Sequence, residues 1–131
     1  EKIDCYKPLR LEKSKGLTTS FLGSQYDNAV FIIKKPIPGF QLTTTLPEIG
    51  SELRIIKFDG STYPVRVSES NDDYFRYAFI HGNPGGMSSG APVLNQNNEV
   101  VGIHLWADSE MGAGNPSASI YSQLSEIPGL N

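Results

Sequence analysis

Apolar residues return at alternate positions along most of this chain, in short runs that Gly, Pro, Asn and Asp repeatedly break. Ile3, Cys5, Leu9 and Leu11 recur at mostly even spacing with Pro8 interrupting, which predicts an edge strand. Residues 13–16 read as a turn, 17–22 as a second strand, 23–28 as a polar loop and 29–33 as a short buried strand ended by Lys34, Lys35 and Pro36. The Pro-, Thr- and Gly-rich stretch 36–50 reads as a crossing linker between two half-structures. Residues 53–58 and 62–67 flank Asp59-Gly60, a hairpin signal, and 74–80 form an aromatic-rich strand. Residues 92–94 and 100–106 predict another hairpin across 95–98, 117–121 a last strand and 122–127 one helical turn. Many short strands separated by turn signals predict an all-β sandwich or barrel.

Composition narrows the picture. With 131 residues, 38% of them hydrophobic, the chain suits one domain or two very small ones with a packed core. A net charge of −3 and no Lys/Arg cluster argue against nucleic-acid binding through phosphate neutralisation. No apolar run approaches the ~20 residues of a membrane helix, and no Cys/His/carboxylate cluster has the spacing of metal ligands, so neither metal nor organic cofactor is expected. The single cysteine, Cys5, alternates with Ile3 and reads as a small buried hydrophobe. The start at Glu1 without methionine reads as a processing site or a chosen chain boundary. The glycine-rich stretch 82–86 lacks the Lys-Ser/Thr ending of a phosphate-binding loop.

The chemistry concentrates in GGMSSGAPV, residues 85–93. Its glycines suit dihedrals that side-chain-bearing residues avoid, and a serine on such a turn is either a loop residue or an exposed nucleophile. Ser88-Ser89-Gly90-Ala91-Pro92-Val93, leading into a hairpin and Val100-Val101-Gly102-Ile103-His104, resembles the nucleophile region of chymotrypsin-fold serine proteases. Upstream, Asp27-Asn28-Ala29-Val30-Phe31-Ile32-Ile33 is similar to the segment that carries the acid of that family's triad. The spacing of the two is similar to that of compact viral polyprotein proteases. The stretch 95–106, NQNNEVVGIHLW, is similar to the specificity-pocket wall of glutamyl endopeptidases.

The resemblance implies a chymotrypsin-like double β-barrel whose first barrel is incomplete in this chain. Residues 1–35 would supply the last strands of the N-terminal barrel, 36–50 the inter-barrel linker and 51–131 the C-terminal barrel. It implies a serine endopeptidase working through an acyl-enzyme, with Ser89 as nucleophile and Asp27 orienting a base. The amides of Met87 and Ser89 would form the oxyanion hole. Met87 departs from the usual glycine, and a second register makes Ser88 the nucleophile with Gly86 at the hole. His104, with Leu105, Trp106 and His81, would contact substrate, favouring Glu or Gln before the cut. Only His81 and His104 exist, both after Asp27, whereas the family's base precedes its acid. An N-terminal fragment of the same protease is the expected source of that histidine, and a peptide or polyprotein the expected substrate.

Two other readings stay open. A catalytically silent protease-fold binding module accounts for the absent base and for Met87. An unrelated β-sandwich, with a coincidental Ser-Gly-Ala-Pro run, would hold Asp27 and Ser89 far apart. Localisation follows the relative: host-cell cytoplasm for a viral enzyme, extracellular for a secreted bacterial one.

Overall fold

The computed structural model describes residues 10–11, 28–30, 33–35 and 37–125. Its elements are β1 (Arg10–Leu11), β2 (Ala29–Val30), β3 (Glu52–Ile56), β4 (Thr62–Ser70), β5 (Phe75–Phe79), β6 (Pro92–Leu94), β7 (Val100–Ala107), β8 (Met111–Pro116) and the helix α1 (Ser117–Leu124). Strands β3 to β8 close an antiparallel barrel in the order β3-β4-β5-β8-β7-β6, with β6 returning to β3. β1 pairs with β2 antiparallel, Arg10 opposite Val30. Ile3, Cys5, the expected strand 17–22 and Asp27 lie outside the described residues.

Alternation places one face of each strand inside. Leu53 and Ile55 of β3, Val65 and Val67 of β4, Phe75 and Tyr77 of β5, Val93 of β6 and Val101 of β7 share one buried cluster. Burying each such side chain contributes about 1.5–3 kcal/mol. The β3–β4 hairpin turns at Asp59-Gly60 as expected. Gly60 donates to the Lys57 carbonyl at 2.9 Å, and the Asp59 carboxylate accepts from the Ser61 amide at 3.0 Å. The Ser61 hydroxyl, which donates to the same carboxylate at 2.5 Å, and then the Ser61 amide hold the Asp59 carboxyl below its usual pKa.

One strand falls where the sequence pattern carries no assignment, and one expectation needs correction. The strand β8, MGAGNP, is rich in Gly, Asn and Pro. It is nonetheless paired on both sides, to β5 and to β7. Its glycines are there to admit aromatic rings. A Cβ on Gly114 would lie 2.9 Å from Phe75 Cε1, and one on Gly102 of the neighbouring strand β7 would lie 2.3 Å from the same atom. Residues 117–121 are not a strand but the body of α1. The helix buries Ser117, Ser119, Ile120 and Gln123, a helical spacing carried mostly by polar residues. Ser117 Oγ donates to the Val100 carbonyl at 2.8 Å, and Ser119 Oγ to that of Asp72 at 2.5 Å. These bonds make the burial of the two hydroxyls affordable.

Within the stretch 36–50, one segment extends the barrel at the start of β7. The Val100 amide donates to the Gln41 carbonyl at 2.8 Å, and the Thr43 amide returns a bond to the Val100 carbonyl at 2.9 Å. Thr43 and Ser117 hydroxyls meet at 2.8 Å beneath this contact.

Candidate functional site

The loop from the end of β5 to β6 stands over one end of the barrel and is tied down along its length. Asn83 Nδ2 donates to the Asp108 carbonyl at 2.8 Å, and Asn83 Oδ1 accepts from the Gly85 amide at 2.5 Å. Lys57 Nζ donates to the Pro84 carbonyl at 2.8 Å. At the far end the Gly90 amide donates to the His104 carbonyl at 2.7 Å, and the His104 amide to the Ala91 carbonyl at 2.8 Å. Between these anchors Gly85, Met87 and Gly90 have φ of 79°, 62° and 89°. Glycine tolerates that region freely, whereas Met87 holds it at a cost of roughly 1–2 kcal/mol.

The two serines have different surroundings. Ser88 is buried, and its hydroxyl donates to the Gly85 carbonyl at 2.8 Å, closing the turn from inside. Ser89 is exposed, and its hydroxyl donates to the Leu105 carbonyl at 3.1 Å. That carbonyl is available because the β7–β8 register shifts between His104 and Trp106, a bulge that re-aims the backbone locally. Among the described residues, the amides of Met87 and Ser89 donate to no protein acceptor.

Behind the loop lies a cleft of about 400 Å³ whose walls include Asn83, Met87, Ser89, His104, Leu105 and Trp106. His104 is 1% exposed, and its Nδ1 stands 2.5 Å from the Tyr77 hydroxyl. Burial pushes the Tyr77 phenol well above its ordinary pKa, so it keeps its proton. Burial also lowers His104 to about 4, leaving the ring neutral at pH 7. A phenol that donates to Nδ1 leaves the imidazole proton on Nε2. Phe79 approaches the same ring edge-on, with centroids 6.3 Å apart.

Met87, Ser89, His104, Leu105 and Trp106, each singled out in the sequence, thus surround one cleft. His81 is exposed and is not among the residues lining it. Asp27 is outside the described residues, so its relation to Ser89 is not part of this geometry. Its neighbour Asn28 donates to Gln123 Oε1 of α1 at 3.3 Å. Sequence reasoning missed Tyr77, although the alternation of FRYAF already sets Phe75, Tyr77 and Phe79 on one face of β5. Among the described residues there is no group of three or more metal-ligating side chains, and no helix is long and apolar enough to cross a membrane.

No protein-family profile matches the chain, and no curated protein matches it. Twenty-eight chains of solved structures do. One is the crystal structure of Rv3671c from M. tuberculosis H37Rv, a serine-to-alanine mutant in its inactive form. It superposes with a TM-score of 0.55 at 18% identity, covering 76% of this chain. The match spans 58% of the length of that structure. It singles out neither viral nor glutamyl-specific proteases. At that identity the likeness is one of fold: a single closed six-stranded antiparallel barrel, consistent with one half of a chymotrypsin-like double barrel.

Proposed function

We propose that this chain is a protease-fold module that binds an extended peptide against the loop 82–91, seating a Glu or Gln side chain beside His104, without cutting it unaided. One observation carries this reading: the Ser89 hydroxyl is spent on the Leu105 carbonyl, and neither histidine of the chain serves it as a base. His104 is engaged with Tyr77, and His81 lies off the cleft. A serine hydroxyl without a base is a weak nucleophile. The neutral His104 ring offers an N–H donor suited to a carboxylate or amide oxygen, and leaving such a buried donor unpaired disfavours apolar competitors.

The test joins two measurements on the full chain. Gln- and Glu-containing peptides are titrated by fluorescence anisotropy, and the protein is treated with a fluorophosphonate and weighed intact. Peptide binding that depends on the Glu or Gln, with no adduct, supports the binding module. An adduct on Ser89 in this chain alone sinks it.

A second reading has its own support. Met87 holds a left-handed conformation despite its side chain, and two neighbouring amides have no described acceptor. Those features suit an oxyanion hole of a serine endopeptidase, with Ser89 attacking, Asp27 as the acid and the base contributed by an N-terminal fragment of the same protease. It requires that a histidine-bearing fragment co-purify with the chain and restore both the adduct and hydrolysis after Glu or Gln.

A further inference from the structure

The loop has a second face. Opposite the His104 cleft lies another, of about 330 Å³, whose walls include Ile56, Phe58, Met87, Ser89, Ala91 and Pro92. Met87, Ser88 and Ser89 belong to both clefts, so the two are the flanks of one short segment. Phe58 is 81% exposed and Met87 87%, the two highest values among the large hydrophobics described. They come from different parts of the chain, the β3–β4 hairpin and the serine loop, yet wall the same cleft. Their approach is braced, because the bond from Lys57 Nζ to the Pro84 carbonyl ties the hairpin to the loop. Exposing two large apolar side chains at one spot is unfavourable unless something covers them.

We infer that this second cleft is an apolar subsite of the same peptide. A Glu or Gln side chain enters the His104 cleft while an aliphatic or aromatic side chain within two positions of it packs on Phe58 and Met87. This rests on the peptide-binding reading above and adds a second determinant to it. An extended chain advances about 3.3 Å per residue and turns alternate side chains to opposite sides. A peptide lying across Ser89 therefore delivers neighbouring side chains to both flanks of the segment. The two determinants differ in chemistry: a polar oxygen on one side of the loop, apolar surface on the other.

The test uses fluorescently labelled decapeptides with one central Gln and Gly, Asp, Leu or Phe at each of the two positions on either side. At one of those positions, Leu or Phe is expected to bind about five- to tenfold more tightly than Gly, the effect of covering one apolar side chain. Asp there binds no better than Gly. In Phe58→Ser the preference falls below about twofold, as expected once the apolar wall is gone. The Gly peptide keeps its affinity in that variant, and Phe58→Leu retains the preference. Met87→Ser, read in parallel, gives the same loss through the other wall should Phe58→Ser lower the unfolding midpoint. Binding that needs the Gln but ignores its neighbours, or a preference that survives both serine variants, overturns this inference and leaves the peptide-binding reading standing. Equal affinity with Gln and Ala at the centre, or no binding of any peptide, overturns both.

Discussion

The Tyr77 hydroxyl and His104 Nδ1 meet 2.5 Å apart across two strands that do not pair with each other, β5 and β7, which β8 separates. The contact joins a phenol that keeps its proton to an imidazole that stays neutral. It thereby decides which ring nitrogen carries the hydrogen. The donor character of the cleft therefore depends on a core residue that lies outside the cleft's lining.

Tyr77→Phe is the direct probe of this pairing. Losing the hydroxyl leaves a buried nitrogen without its donor and is expected to cost about 1–3 kcal/mol of stability. In a domain of this size that lowers the melting temperature by several degrees, on the order of 4 °C per kcal/mol. Imidazole ¹⁵N shifts are expected to change from the Nε2–H tautomer to a mixture. An unchanged tautomer would place its control elsewhere.

Stability is expected to depend on pH through His104. Its folded pKa of about 4 lies below the ordinary histidine value near 6.5, so the unfolded chain binds the proton more readily. The neutral ring's contribution is fully present above about pH 6.5 and is lost progressively as the pH falls towards 4, by an amount on the order of 2–3 kcal/mol. Urea unfolding at pH 4, 5, 6 and 7 measures it. His104→Phe is expected to flatten that part of the profile, and a profile unchanged in this variant would assign the dependence to other groups.

Ser88→Ala and Ser89→Ala separate the two hydroxyls. The first removes a buried bond to the Gly85 carbonyl and is expected to cost about 1 kcal/mol. The second removes an exposed one and is expected to change stability by no more than about 0.5 kcal/mol. Chemical denaturation of the pair reads the difference, and the reverse order would mean that the loop is held from its outer side.

Gly102→Ala is expected to be severe, at about 3 kcal/mol or more. The new methyl would stand 2.3 Å from a Phe75 ring carbon and 2.6 Å from the Asn115 carbonyl oxygen, and the latter is backbone that has little room to give. Gly39→Ala, with nothing within 4 Å, serves as the control and is expected to be near neutral. A mild Gly102→Ala would show that the β7–β8 pair yields more readily than its packing suggests.

What the sequence by itself determined were the features that local chemistry controls. Alternation in ELRII, FRYAF and the run ending in Trp106 gave strands with defined inner faces, and Asp59-Gly60 and 95–98 gave their turns. Met87, Ser89, His104 and Trp106 were nominated not by local pattern but by the resemblance of 85–106 to chymotrypsin-fold proteases, and only the fold sets them around one cleft. Tertiary structure decided the rest. MGAGNP becomes a strand only because partners on both sides satisfy its backbone and Phe75 needs the room that its glycines leave. The segment SASIYSQL becomes a helix because the carbonyls of Val100 and Asp72, distant in sequence, accept its buried hydroxyls. Likewise no local pattern states that Tyr77 sets the proton on His104, since that contact spans 27 positions and exists only once the barrel has closed.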